Sequence, residues 1–219
     1  MSILDLVWLV APPLCWECGD AVRDGGRICS RCRSRLRWLE ATPSHGGGVL
    51  SWAPLAYAGA ARALVRGLKF QRAAGLADEL AAPMVAGAPD GWLRPPATAG
   101  EPWRPPVLVP VPLHPARGRR RGFNQAERLA AALARRTGLP VADCLRRAGS
   151  SATQVGRGRE QRLAGLAGRV LLAHPAPARA LIVDDVITTG ATLSACAGAL
   201  RAGGGEPIGA IAYARTPGR

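Results

Sequence analysis

The stretch Ala180-Leu-Ile-Val-Asp-Asp-Val-Ile-Thr-Thr-Gly-Ala-Thr192 decides the expected fold and the expected site. Its first four residues, 180–183, are apolar, which is typical of a strand buried on both faces of a parallel sheet. We expect the adjacent carboxylates of Asp184 and Asp185 where this strand surfaces. Thr188-Thr189-Gly190-Ala191-Thr192 then leads into a helix over 193–201, whose first N–H groups can surround an anion together with the hydroxyls. The stretch therefore predicts a phosphate cradle beside two carboxylates suited to a diol or a metal.

The same pattern, an apolar run followed by Asp-Asp-x-x-Thr-Thr-Gly-x-Thr, resembles the 5-phosphoribosyl-1-diphosphate (PRPP) motif of the type I phosphoribosyltransferases. The resemblance implies that Asp184 and Asp185 are the catalytic carboxylates that hold the ribose hydroxyls, and that loop 188–192 binds the 5′-phosphate. It also implies the type I phosphoribosyltransferase fold and a Mg²⁺ ion that accompanies PRPP. The alternative is an ordinary strand-to-helix turn in which these residues only cap the helix, but one capping residue would suffice for that.

Four cysteines near the start of the chain form two pairs, Cys15-x-x-Cys18 and Cys29-x-x-Cys32. Two such pairs at this spacing are typical of a tetrahedral, four-thiolate structural Zn²⁺ site. The segment is too small to be stabilised by a core of its own, so the metal would supply its folding energy. Two disulfides or a redox-active pair are the alternatives, which a cytoplasmic chain and the doubled pattern disfavour. We therefore expect a zinc-finger domain over residues 1–42 whose core is separate from that of the main domain.

Strands and helices are predicted to alternate along the rest of the chain. Strands are predicted over 51–57, 107–111 and 208–213, with short strands over 144–147 and 169–173 on either side of an arginine-rich segment. Helices are predicted over 60–70, 76–85 and 124–136. The Pro/Gly-rich run 87–106 is expected to be an extended surface loop. This alternation predicts an α/β domain over residues 49–219, with a mainly parallel sheet flanked by helices.

Basic residues outnumber acidic ones by 29 to 15, which gives a net charge of +14. Arginine accounts for 28 of the 29. A GC-rich codon bias is one explanation of the preference for arginine over lysine, but it does not account for the excess of positive charge. Thirteen arginines lie between Arg117 and Arg169, where the acids are Glu127, Asp143 and Glu160. We therefore expect an anionic partner, either a polyphosphate substrate or a nucleic acid.

A second conspicuous loop follows the predicted strand 107–111 and reads Pro112-Leu113-His114-Pro-Ala-Arg117-Gly-Arg119-Arg120-Arg121-Gly-Phe-Asn-Gln-Ala126. With the cysteine pairs, it resembles the ComF family of bacterial competence proteins, which join an N-terminal zinc finger to a type I phosphoribosyltransferase domain. The family's Tyr-x-Gly…Leu-Lys-Phe block is matched by Tyr57, Gly59 and residues 68–70. The resemblance extends from Cys15 to Tyr213.

The expected reaction separates diphosphate from C1 of a ribose that becomes positively charged, so the diphosphate needs a cationic cradle. Pro112, Leu113 and His114 are well placed to hold it, and Arg117, Arg119 and Arg121 to add bidentate phosphate contacts. His114 is equally compatible with a structural role through hydrogen bonds to the backbone. In the segment that corresponds to the family's flexible catalytic loop, three residues match the family pattern: Gln154, Arg159 and Arg162. Arg157 and Gly165 replace the family's leucine and asparagine, so this loop is expected to be differently tuned.

The resemblance implies a phosphoribosyltransferase with an unidentified acceptor, associated with natural transformation and with DNA-uptake or recombination proteins. The alternative is an accessory protein that binds single-stranded DNA and keeps a vestigial nucleotide pocket without transferase activity. Trp16 and Trp38 are then candidates for base stacking, although tryptophans of this kind more often pack a small zinc domain. The sequence has no apolar run of about 18 residues, and Asp5 without an early Lys or Arg disfavours a signal peptide. We expect a cytoplasmic protein without a membrane span; no oligomeric state is predicted.

Overall fold

The structure is a computed structural model that describes residues 13–22, 24, 26–46, 48–70, 75–97, 102–114, 121–147 and 170–217. It has the predicted mixed α/β architecture with a mainly parallel sheet. The helices are α1 (Ser30–Ser34), α2 (Gly59–Phe70), α3 (Leu76–Gly87), α4 (Gln125–Thr137) and α5 (Ala191–Ala202). The strands are β1 (Ser44–Gly46), β2 (Val49–Trp52), β3 (Leu55–Ala56), β4 (Val107–Pro110), β5 (Leu145–Arg147), β6 (Val170–Leu172), β7 (Arg179–Ile187) and β8 (Glu206–Arg215). No helix in these ranges is long and apolar enough to cross a membrane.

The main sheet has six strands in the order β1-β2-β8-β7-β4, with β3 also pairing with β8. β1 runs antiparallel to β2, whereas the pairings of β8 with β2, β3 and β7 and of β4 with β7 are parallel. β5 and β6 form a separate antiparallel pair. In a parallel sheet the carboxyl ends of the strands share one edge, where ligands bind in α/β proteins. The segments that follow β3, β4 and β7 therefore meet at that edge.

β7 is buried on both faces of the sheet, as its apolar sequence predicted. Leu181 and Val183 belong to the core that includes α2, α3 and α4, whereas Ala180 and Ile182 belong to the core that includes α5. This division follows from the alternation of side chains along a strand. Because helices cover both faces of the sheet, the segment 180–183 that precedes Asp184 contains no polar residue.

β7 is longer than predicted. The sequence indicated that the strand surfaces after Val183, but the ladder with β8 continues, with Asp184 opposite Ala212 and Val186 opposite Ala214. The ten-residue β8 supplies backbone partners for this extension. Both aspartates thus lie within the strand, where the sheet fixes their backbone and sends their side chains to opposite faces.

Two other predicted elements differ in the structure. The predicted strand over 51–57 is divided into β2 and β3, with Pro54 between them; proline has no N–H for a ladder. The Pro/Gly-rich run is not simply a surface loop, because Trp92 and Leu93 within it are buried in the main core. A Cβ on Gly209 of β8 would lie 2.5 Å from the Trp92 ring, so glycine at that position lets the ring approach the sheet.

The cysteine-bearing segment does not have a separate core, which makes that expectation wrong. Its buried residues Val22 and Ile28 belong to the same hydrophobic cluster as residues of α2 and α3. The Trp16 ring packs on α2 so closely that a Cβ on Gly67 would lie 2.0 Å from it. The backbone N–H of Arg27 also donates to the Glu79 carboxylate of α3 at 3.4 Å. Trp16 is therefore a packing residue rather than a surface for stacking bases.

The contact between Trp16 and Gly67 leads to a stability prediction. Gly67→Ala should lower the free energy of unfolding by about 1–3 kcal/mol, because the added methyl group overpacks the contact with the ring. Gly198→Ala in α5 is the matched control, since a Cβ there meets nothing within 4 Å. It should be neutral or stabilise the protein by up to about 1 kcal/mol through helix propensity. Denaturant unfolding measures both effects, and equal stabilisation of the two variants would contradict the packing.

Candidate functional site

A cleft of about 230 Å³ opens at the carboxyl edge of the parallel strands. It brings together eight of the predicted site residues: Pro112, Leu113, His114, Arg121, Asp184, Asp185, Thr188 and Thr192. Thr189, Gly190 and Ala191 belong to the same turn as Thr188 and Thr192 but do not line the cleft. Arg117, Arg119, Gln154, Arg159 and Arg162 lie outside the described residues. Segments distant in sequence thus meet around the aspartate pair, as expected for the carboxyl edge of a parallel sheet.

The two aspartates have different surroundings because neighbouring residues of a strand point to opposite faces. Asp185 is buried, and its Oδ2 lies 2.9 Å from Nζ of Lys69, in the last turn of α2. Asp184 is partly exposed, and its Oδ1 accepts a hydrogen bond from the backbone N–H of Asp185 at 2.8 Å. Although some of its surface is exposed, loss of water around its carboxyl group and the neighbouring Asp185 charge raise the pKa of Asp184 to about 7, while Lys69 and Arg147 act in the opposite direction. A bound cation or hydroxyl donors would stabilise its ionised form.

The turn between β7 and α5 depends on Gly190, which has a left-handed conformation with φ of 78°. A residue with a side chain would be strained there, so glycine allows α5 to begin directly at Ala191. The Thr189 hydroxyl accepts a long hydrogen bond, 3.4 Å, from the Ala191 N–H. The first N–H groups of a helix have no acceptor within the helix and lie at its positive end. The turn therefore places backbone N–H groups and hydroxyls, which are capable of binding an anion, beside the aspartates.

Arg147 is a site residue that the sequence analysis missed. It ends β5, lines the cleft, and donates from Nη2 to the Thr192 hydroxyl at 3.0 Å. The contact joins residues 45 positions apart, so only the fold brings them together. Its guanidinium places a positive charge beside the predicted phosphate turn. The only indication of this role in the sequence was that Arg147 lies in an arginine-rich segment.

Asn124 is a second residue with an unpredicted role, because it fixes the turn after β4. Its Oδ1 accepts a hydrogen bond from the Ala126 N–H at 3.0 Å and so caps α4. Its Nδ2 donates to the Val111 carbonyl and to the Glu127 carboxylate, both at 3.0 Å. An asparagine directly before an amphipathic helix is a recognisable capping signal. The bond to Val111, however, depends on how α4 packs against the turn that contains Pro112 and His114.

The four predicted cysteines form a compact cluster away from the cleft. Their sulfur atoms all lie within 4.8 Å of one another, and Cys18 Sγ is 3.7 Å from Cys29 Sγ. Zn–S bonds of about 2.3 Å in a tetrahedron place sulfurs about 3.8 Å apart, whereas a disulfide joins them at about 2.05 Å. All four are free thiols in this structure. The cluster therefore has the composition and spacing of a four-thiolate metal site and not of two disulfides.

The thiols of the cluster differ in how readily they ionise. Burial opposes ionisation of Cys15, but backbone N–H groups, including that of Cys29 at 3.3 Å, lower its pKa to about 6. Burial and the three neighbouring thiols raise the pKa of Cys32. Metal ligation requires deprotonated thiols, and a divalent cation offsets the repulsion between them.

The raised pKa of Asp184 predicts a dependence of stability on pH. Because its ionisation is less favourable in the folded state, this group should lower the free energy of unfolding as the pH rises from about 4 to about 7. Asp184→Asn should therefore be more stable than the original protein at pH 8, by an amount on the order of 1–3 kcal/mol, and nearly equal at pH 4. Denaturant unfolding at both pH values measures this, with the exposed Asp90→Asn as control. Equal destabilisation of Asp184→Asn at both values would contradict the raised pKa.

Comparison with known proteins identifies one informative relative. No protein-family model matches the chain. A region of 116 residues is 37% identical to Competence protein F of Haemophilus influenzae, and it covers 51% of this chain and 51% of that protein. The chain thus matches about half the length of this relative. This similarity to a competence protein agrees with the ComF-family resemblance that the motif blocks in the sequence indicate.

Proposed function

We propose that the protein binds Mg²⁺-PRPP in the cleft and acts as a phosphoribosyltransferase of type I fold in a process related to DNA uptake. The observation that carries the proposal is the meeting of three predicted segments at one sheet edge. These are the aspartate pair 184–185, the turn 188–192 and the turn 112–114. The similarity to a protein named Competence protein F favours the competence-related process.

Each part of PRPP has a chemically suitable partner in the cleft. The carboxylates of Asp184 and Asp185 can accept hydrogen bonds from the ribose hydroxyls. The turn that begins α5 offers N–H groups and hydroxyls to the 5′-phosphate. Arg147, which donates to Thr192 of that turn, can also pair with the 5′-phosphate, and Arg121 lines the same cleft and can pair with the diphosphate. Magnesium prefers oxygen ligands and retains waters, so the substrate oxygens would supply much of its coordination.

The same groups are also complementary to the charges that develop during phosphoribosyl transfer. The bond between C1 of the ribose and the diphosphate breaks, which leaves positive charge on the sugar and negative charge on the leaving group. Asp184 and Asp185 would place negative charge near the sugar, while Arg121 would stabilise the diphosphate. The protein must also exclude water, which would otherwise compete with the acceptor.

The assignment of the cleft is tested by Asp185→Asn. The loss of one charged hydrogen-bond acceptor should weaken PRPP binding by about 1.5–3 kcal/mol, or roughly 10- to 100-fold. Titration calorimetry with PRPP and excess Mg²⁺ measures the change. Asp90→Asn is the control, because Asp90 is an exposed acid distant in sequence from Asp184 and Asp185. This variant should leave the affinity for PRPP unchanged. Unchanged affinity in Asp185→Asn would contradict the site assignment.

A second candidate function, binding of single-stranded DNA without transferase activity, is favoured by one surface observation. Trp38 is 62% exposed, and the neighbouring Arg35 and Arg37 are exposed as well. An exposed aromatic ring among arginines suits a strand whose bases stack and whose phosphates are neutralised. Salt-dependent oligonucleotide binding without PRPP binding or diphosphate release would favour this function over the first.

We also propose that the cysteine cluster holds one structural Zn²⁺ ion, within an N-terminal zinc-binding unit over residues 1–42 that precedes the transferase domain over 49–219. The purified protein should contain about one zinc per chain. Cys29→Ser should lose the metal and, because this segment shares its core with α2 and α3, should also lower the melting temperature of the whole protein. Cys144→Ala, outside the cluster, should retain the zinc. Metal analysis measures the zinc content of each variant, and thermal unfolding measures the melting temperature. Disulfides mapped among the four cysteines would exclude the zinc site.

A further inference from the structure

Lys69 is the single lysine in a chain that contains 28 arginines. A preference this strong means that the chain meets its ordinary need for positive charge with arginine. On the same helix, α2, the exposed cations Arg62 and Arg66 follow that preference. A lysine at position 69 therefore indicates a property that a guanidinium lacks. A lysine ammonium is a compact point charge on a flexible stem, whereas arginine presents a planar fork.

Lys69 occupies a different environment from the other cations of α2. Its side chain is only 20% exposed, and its Nζ lies 2.9 Å from Oδ2 of Asp185, whose side chain is 5% exposed. Both residues line the cleft. Lys69 thus neutralises the buried carboxylate that we expect to bind the ribose hydroxyls. The ion pair occupies the acceptor atom that the substrate would need.

The geometry of the ion pair between Lys69 and Asp185 allows the two charged groups to separate. Despite the short distance, Oδ2 of Asp185 accepts no well-directed hydrogen bond from any described residue. A buried ion pair that lacks directed hydrogen bonds gains little from burial, because desolvation of the two charges offsets their attraction. An arginine here could form two parallel hydrogen bonds with the carboxylate and hold it more firmly. Lysine keeps the empty site neutral without locking it.

We propose that Lys69 contacts the substrate by exchanging partners. This proposal rests on the proposed function. In the empty cleft, the ammonium pairs with Asp185. When Mg²⁺-PRPP binds, the ribose hydroxyls donate to the Asp185 carboxylate, and the ammonium moves to a phosphate oxygen of the ligand in the same cleft. The exchange avoids a buried cation without a partner, and it gives a physical reason for a lysine in a chain that otherwise uses arginine.

The exchange predicts a difference between two variants of Lys69. Lys69→Met should weaken PRPP binding at least tenfold even in saturating Mg²⁺, because the contact with phosphate is lost. Lys69→Arg should also weaken binding at least tenfold, because the guanidinium holds the carboxylate, yet its melting temperature should equal or exceed that of the original protein. Arg66→Met, an exposed cation on the same helix, is the matched control and should bind PRPP normally. A Lys69→Arg variant with unchanged affinity would overturn the exchange.

Nuclear magnetic resonance on the unmodified sequence tests the contact without a variant. Protein labelled with [ε-¹³C]lysine gives one lysine signal, which should shift when Mg²⁺-PRPP is added and remain nearly unchanged with Mg²⁺ alone. Mg²⁺ with ribose 5-phosphate and Mg²⁺ with inorganic diphosphate distinguish which phosphate the ammonium contacts. Calorimetric binding of PRPP without any shift of this signal would overturn the role of Lys69 and leave the proposed function standing. No PRPP binding by calorimetry would overturn the proposed function and this proposal together.

Discussion

The parallel pairing of β7 with β8 is the constraint on which the rest of the structure depends. It extends β7 through Asp184 and Asp185, so that the sheet and not a loop fixes the backbone of both residues. The alternation of a strand then sends one carboxylate toward the side of α5 and the other toward α2. The site is therefore built from both helical layers at once. A loop-borne aspartate pair would have had no such fixed relation to the two layers.

The electrostatics of the site differ from those of the chain as a whole. The protein is strongly basic, yet its cleft centres on two adjacent carboxylates, one buried and one with a raised pKa. Lys69 and Arg147 approach this pair from elements distant in sequence. The cleft can thus receive a ligand that carries both hydroxyl donors and anionic groups. A uniformly basic cleft would bind phosphate but would offer nothing to the hydroxyls of a sugar.

Features carried by short, continuous stretches could be predicted from the sequence, and features that depend on packing could not. The aspartate pair, the turn at Gly190 and the clustering of the four cysteines follow from local spacing, and α2, α3 and α4 begin and end within two residues of their predicted bounds. The contact of Arg147 with Thr192 and the burial of Trp92 against Gly209 join distant segments through tertiary packing. The prediction of a separate core for the cysteine segment was also wrong because it concerned tertiary packing. A Cys-x-x-Cys pattern does not indicate which part of the chain the segment packs against.

The packing of Trp16 also relates the cysteine cluster to the cleft. Trp16 lies between Cys15 and Cys18, and its ring presses on α2 at Gly67, two residues before Lys69. The backbone of that helix is thus held on one side by the segment that a metal would order, while its last turn carries the ammonium that meets Asp185. A change in the packing of the cysteine segment could therefore reach the cleft through α2, although none of the four cysteines lines the cleft. The cysteine segment and the helices beside the cleft therefore share one hydrophobic core, although the sequence pattern predicted separate cores.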